Sequence, residues 1–126
     1  SYVAAQTSWG TGDSADFEED LYWAIVVDTT GYANIALSFE IRSSKPDNLV
    51  TVAYRVTDGG KFTAIGDPVA IPNSSLAKID ATLPETATNA GKVTMAIFPH
   101  KTELIKGVGP NIRIDNVVVR GVAIEE

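Results

Sequence analysis

The chain has 126 residues, 44% of them apolar and 21% charged, with 16 acidic against 10 basic side chains and no cysteine. That composition is globular, suits one domain with a core of its own, and excludes a disulfide scaffold, a thiolate zinc site and a cysteine nucleophile. A net charge of −6 without a basic stripe argues against nucleic acid and anionic membrane as partners, and no apolar run approaches the roughly 18 residues that span a bilayer. Ser1 is followed by neither a basic region nor an apolar one of signal type, so the chain reads as a mature or excised piece.

Trp9 stands in a Ser/Thr/Gly stretch, TSWGTG, and the acidic run GDSADFEED (12–20) follows it as a loop. LYWAIVVD (21–28) is the first strong strand, and Asp28-Thr-Thr-Gly-Tyr32 turns the chain. NIALSFEIR (34–42) alternates, with Ile35, Leu37, Phe39 and Ile41 on one face and Ala36, Ser38, Glu40 and Arg42 on the other. After the loop SSKPDN, LVTVAYRVTD (49–58) sets Val50, Val52, Tyr54 and Val56 against Thr51, Ala53 and Arg55. Asp58-Gly59-Gly60 is a hairpin signal with KFTAIG (61–66) as the return strand. SLAKIDATLP (75–84) is a further strand, KVTMAIFPH (92–100) another with Val93, Met95 and Ile97 inward, and NIRIDNVVVRGVAI (111–124) the last, bent near Asp115-Asn116. Seven to nine such strands and no helix longer than a turn or two predict an all-β sandwich of two antiparallel sheets. Periodicity alone leaves jelly-roll and immunoglobulin-like topologies open.

Catalytic signals are few. His100 is the only histidine and has no partner at a telling spacing. No nucleophile elbow or phosphate loop occurs, and GVGP (107–110) lies between strands. Paired carboxylates drawn from Glu18, Glu19, Asp20, Glu40 and Asp115 leave a small lyase or hydrolase as an alternative, with Glu40 facing outward.

YWAIVVDTTGYANIALSFEIRSS, VAYRVTDGGKF and IRIDNVVVRG, from about Tyr22 to Gly121, resemble bacterial extracellular jelly-roll domains of the carbohydrate-binding-module type. The resemblance implies a secreted or cell-surface location and a jelly-roll β-sandwich. It also implies non-catalytic binding of a plant or cell-wall polysaccharide, of the β-glucan, hemicellulose or pectin class. A neighbouring catalytic domain, a glycoside hydrolase or lyase in the same chain, is the second expected partner, and the module is expected to be a monomer. The alternative is a structural or adhesive module of a multidomain surface protein that binds no glycan. Related modules carry a structural calcium ion, and the resemblance implies Glu18 and Asp115 as its ligands here. The oxygen donors of 12–20 suit calcium but lack EF-hand spacing, so a solvated acidic loop is the other reading.

Taking the more apolar half of each strand as inward leaves an outward face of Ala36, Ser38, Glu40 and Arg42, then Thr51, Ala53 and Arg55, then Thr94, Ala96, Phe98 and His100. If these strands share a sheet, small side chains floor a groove along which Arg42, Arg55, Phe98 and His100 stand, with Glu40 beside them. Arginine offers fixed donors to hydroxyl or carboxylate groups, and an aromatic ring offers a flat face to a sugar. Tyr22 also points outward, and Lys101 and Lys106 lie just beyond, within reach of an acidic glycan. Trp9 is either a stacking ring or a plug over the end of the sandwich. Trp23, Phe39 and Tyr54 follow the core face, the Tyr54 hydroxyl reaching a partner at the rim.

Overall fold

The computed structural model describes residues 2–5, 9–56, 60–102 and 111–125. Asp58 and Gly59 of the expected hairpin turn, and Lys106 with the GVGP segment, lie outside them. Eight strands are present among the described residues: β1 (Tyr2–Ala5), β2 (Trp23–Asp28), β3 (Tyr32–Ser43), β4 (Asn48–Arg55), β5 (Thr63–Ile71), β6 (Ala77–Thr82), β7 (Lys92–His100) and β8 (Asn111–Ala123). A 3₁₀ turn, Glu85–Ala87, lies between β6 and β7. One antiparallel sheet runs β1-β8-β3-β6 and the other β2-β7-β4-β5. The first strand therefore pairs the last, the second the seventh, the third the sixth and the fourth the fifth, in alternate sheets. That is a long hairpin wound around a sandwich, the jelly-roll order, and it resolves the choice that periodicity left open.

Alternation explains the core. Leu37, Phe39 and Ile41 of β3, Val50 of β4, Val93, Met95 and Ile97 of β7, and Ile112 and Ile114 of β8 meet between the sheets, each at most 2% exposed. Trp23 packs on this core from β2, and Tyr54 is buried with its hydroxyl 2.6 Å from Thr86 Oγ1 at the rim. The bend expected at Asp115-Asn116 is a β-bulge. Asn116 has φ 52°, and the pairing with β3 steps from Ser38↔Val118 to Glu40↔Asp115.

Two elements depart from expectation. β1 was not foreseen; four residues pairing with the start of β8 carry too little pattern to read. β5 runs on through Gly66-Asp67-Pro68 to Ile71, well past the expected end at Gly66. Proline cannot donate to a ladder, but β5 is an edge strand, and its register against β4 slips between Val50↔Val69 and Val52↔Ile65, where Pro68 sits.

The Asp28–Tyr32 turn forms as its residues suggest. Thr30 N–H donates to Asp28 Oδ1 at 2.9 Å, and Tyr32 N–H to the Thr29 carbonyl at 2.9 Å. Hydrogen bonding from Thr30, the side chain first and then the backbone, holds the exposed Asp28 carboxyl below its ordinary value. A depressed carboxyl supports the folded state above its unfolded pKa, and that support is lost as pH falls through the lowered value.

Candidate functional site

The premise of a single outward groove fails on topology. β3 lies in one sheet and β4 and β7 in the other. Glu40 and Arg42 therefore stand on the opposite side of the molecule from Arg55, Phe98 and His100.

On the β4/β7 side the small residues adjoin as expected: Ala53 pairs with Ala96, Thr51 with Phe98 and Arg55 with Thr94. Yet Thr51, Ala53, Thr94, Ala96, Phe98 and His100 are all buried, Phe98 and His100 completely. Residues 9–22 cross this face. Ala15, Phe17 and Tyr22 pack with Phe62 over Ala53, Ala96 and Phe98, forming a second apolar cluster outside the sandwich. Phe98 is its centre, with ring centroids 4.7 Å from Tyr22, 5.0 Å from Phe17 and 5.6 Å from Phe62. Small side chains do leave the sheet approachable; what approaches is the protein's own chain.

His100 fastens that cover. The Gly12 carbonyl can only accept, so His100 Nδ1 donates to it at 3.1 Å and Nε2 pairs with Thr51 Oγ1 at 2.8 Å. Beside it Lys101 N–H donates to the Gly12 carbonyl at 2.9 Å, and Thr102 donates to the Gly10 carbonyl through both its N–H and its hydroxyl. Gly10 is needed for this approach, because a Cβ there would lie 2.2 Å from Asp20 Oδ2 and 3.0 Å from His100 Cβ. The expectation of His100 and Phe98 as groove residues is thus corrected: both are interior to a covered face. Trp9 is corrected likewise. It is 5% exposed and lies against Trp23 with centroids 4.7 Å apart, so it plugs the sandwich. Tyr22 is half-buried in the cover, and the Lys101 side chain is exposed at its edge.

Glu18 and Asp115 do not form the implied calcium site. Glu18 lies on the cover above the β4/β7 sheet, whereas Asp115 is on β8 of the other sheet, opposite Glu40 and 3.6 Å from Arg113. Within 12–20 two of the carboxylates, Asp16 and Asp20, serve the chain itself. Asp16 Oδ1 accepts from the N–H groups of Glu18 and Glu19, and Asp20 Oδ2 from that of Asp16. No group of three or more His, Cys, Asp or Glu side chains that could hold a metal is gathered among the described residues.

Arg55 is an expected binding residue that lines a cleft. Where the cover ends, a cleft of about 550 Å³ opens between Phe17 and Glu18 on one side and Gly60, Lys61 and Phe62 on the other, with Arg55 in its wall. The Arg55 guanidinium lies 4.5 Å from the Phe62 ring centroid and donates from Nη1 to the Gly60 carbonyl at 3.2 Å. Its Nε is buried and meets no hydrogen-bond acceptor among the described residues. Sequence reasoning missed Phe17, Lys61 and Phe62. The available signal was Phe17, an aromatic residue amid carboxylates, and Phe62, which shares the outward parity of Ala64.

Of the expected outward residues of β3 on the other sheet, Ser38 is buried and Ala36 half-buried. Arg42 is exposed and donates from Nε to the Asn73 carbonyl at 3.2 Å, while Glu40 is half-buried and accepts from Asn116 Nδ2.

The sequence matches no protein-family model and no curated protein. Among solved structures, the chain is similar to one from infectious bursal disease virus Gt strain, with TM-score 0.62 and 10% identity over 97% of this chain. It spans only 30% of that chain. It is also similar to the EclA C-terminal domain, described as a sugar-binding protein, with TM-score 0.55 and 16% identity over 94% of this chain and 77% of the other. At such identities the likeness is one of fold alone.

Proposed function

We propose that the protein is a non-catalytic carbohydrate-binding module whose site is the Arg55 cleft. The observation that carries this reading is the makeup of the cleft wall. Sugars present both apolar C–H faces and a fringe of hydroxyls, and this wall offers both complements. The half-buried Phe17 ring supplies aromatic surface beside the largely buried Phe62, Arg55 and Lys61 supply donors, and Glu18 supplies an acceptor. The volume of about 550 Å³ falls within the roughly 300–1,000 Å³ usual for small-molecule sites. Arg55 is held in place by Phe62 and the Gly60 carbonyl, so little side-chain entropy is lost when it meets a ligand. Similarity in fold to a sugar-binding domain supports the same class of ligand.

The finer reading is a plant or cell-wall polysaccharide, β-glucan, hemicellulose or pectin, bound by a secreted module beside a glycoside hydrolase or lyase. Modest affinity suffices there, because tethering raises the effective concentration of the neighbouring domain. Affinity electrophoresis against a panel of these polysaccharides tests the proposal. Retardation on at least one is expected, weakened about tenfold or more by Arg55→Ala through loss of charge-assisted hydrogen bonds. No retardation on any of them sinks the proposal in favour of an adhesive module without a glycan.

A further inference from the structure

We infer that the outer face of the β1-β8-β3-β6 sheet carries a second site, separate from the cleft, that takes a single compact oxyanion through Arg42 and Arg113. The two arginines are directly opposite each other in the β3–β8 register, and both side chains reach solvent on the same face. Like charges in that relation destabilise a sheet. The arrangement stands in a chain with 16 acidic residues against 10 basic ones, where a carboxylate opposite either arginine would be the ordinary solution.

Among the described residues, local contacts leave the pair only partly neutralised. Asp115 approaches one edge of Arg113 at 3.6 Å, longer than a charge-assisted hydrogen bond. Arg42 uses Nε on the Asn73 carbonyl, and no described residue accepts from its terminal nitrogens. Between the guanidiniums and the loop after β3 lies a depression of about 210 Å³, lined by Arg42, Ser43, Ser44, Asn111 and Arg113. Its floor is fixed: Asn111 N–H donates to Ser44 Oγ at 2.8 Å, and Ser44 N–H returns a bond to the Asn111 carbonyl at 2.9 Å. Two guanidiniums lining one hollow suit a carboxylate or sulfate, whose several oxygens can accept from both.

The next row of the same face restricts the ligand. Glu40 and Asp115 stand opposite each other immediately beyond the arginines. A polyanion laid along the sheet meets that pair and is repelled, so the site favours one anionic group on an otherwise neutral molecule, or a free small oxyanion.

Titration of the arginine Nε–H NMR signals with sodium sulfate, and separately with sodium acetate, tests this. Ionic strength is held constant with sodium chloride so that screening does not change. Saturable shifts at both Arg42 and Arg113 are expected with at least one anion, sulfate alone indicating a tetrahedral group and acetate alone a carboxylate. Arg113→Gln and Arg42→Gln, both at exposed positions, should each weaken binding about tenfold or more. Shifts that grow linearly without saturation, or binding unchanged in both variants, would overturn the inference.

Discussion

Phe98→Ala is expected to lower the unfolding free energy by about 3–5 kcal/mol, the range for truncating a buried aromatic residue. Phe98 points away from the sandwich core, and an uncovered ring on a solvent face would cost well under that to remove. Here it is 0% exposed, and three rings from two segments meet on it: Phe17 and Tyr22 from the cover, and Phe62. Truncation leaves a cavity beneath the cover and loosens residues 15–22 together with Phe62. Val26→Ala is the internal control. Val26 lies on the same face of the same sheet at 54% exposure, so its loss should cost less than about 0.5 kcal/mol. Equilibrium urea unfolding reads both. Equal small effects would mean that the face is open and the cover is not part of the folded unit.

His100→Ala comes next, at about 2–4 kcal/mol. The substitution removes a fully buried side chain and strands two of its partners, the Thr51 hydroxyl and the Gly12 carbonyl. Thr51→Val, which leaves Nε2 unpaired, should cost about 1–2 kcal/mol. Because the two residues touch, the double variant Thr51→Val/His100→Ala should lose less than the sum of the single losses. Additive losses would show that the 2.8 Å contact contributes nothing. Below its melting temperature the folded His100→Ala protein should keep any glycan binding it has, because His100 does not reach the cleft. Loss of binding without loss of folding would return His100 to the site.

Those two residues mark where the sequence was legible and where it was not. Period-2 alternation located β7 to the residue, Lys92–His100, and sorted Met95 and Ile97 inward from Phe98 and His100. It could say which side a residue takes within its strand, but not which sheet the strand joins. That is set by long-range pairing, and it separated Arg42 from Arg55. Nor could it show that an outward face is covered, because the covering segment has no periodicity of its own. Residues 12–20 are dominated by carboxylates, which masked Ala15 and Phe17 as apolar contacts. A large ring on a face otherwise made of Ala and Thr was the clue, since Phe98 alone on open solvent would have been the anomaly. Of the expected binding residues, Arg55 lines the cleft, while Trp9, Phe98 and His100 proved interior and Tyr22 belongs to the cover.

A glycan that enters the Arg55 cleft meets Phe17, Glu18, Lys61 and Phe62. The most direct test is backbone and arginine side-chain chemical-shift mapping during titration with a polysaccharide fragment that retards the protein. Perturbations should concentrate at Phe17, Glu18, Lys61 and Phe62 and at Arg55 Nε, and spare Ser38, Lys78 and Asp80 on the opposite sheet. Perturbations centred on that opposite face, with Arg55 Nε unmoved, would contradict it.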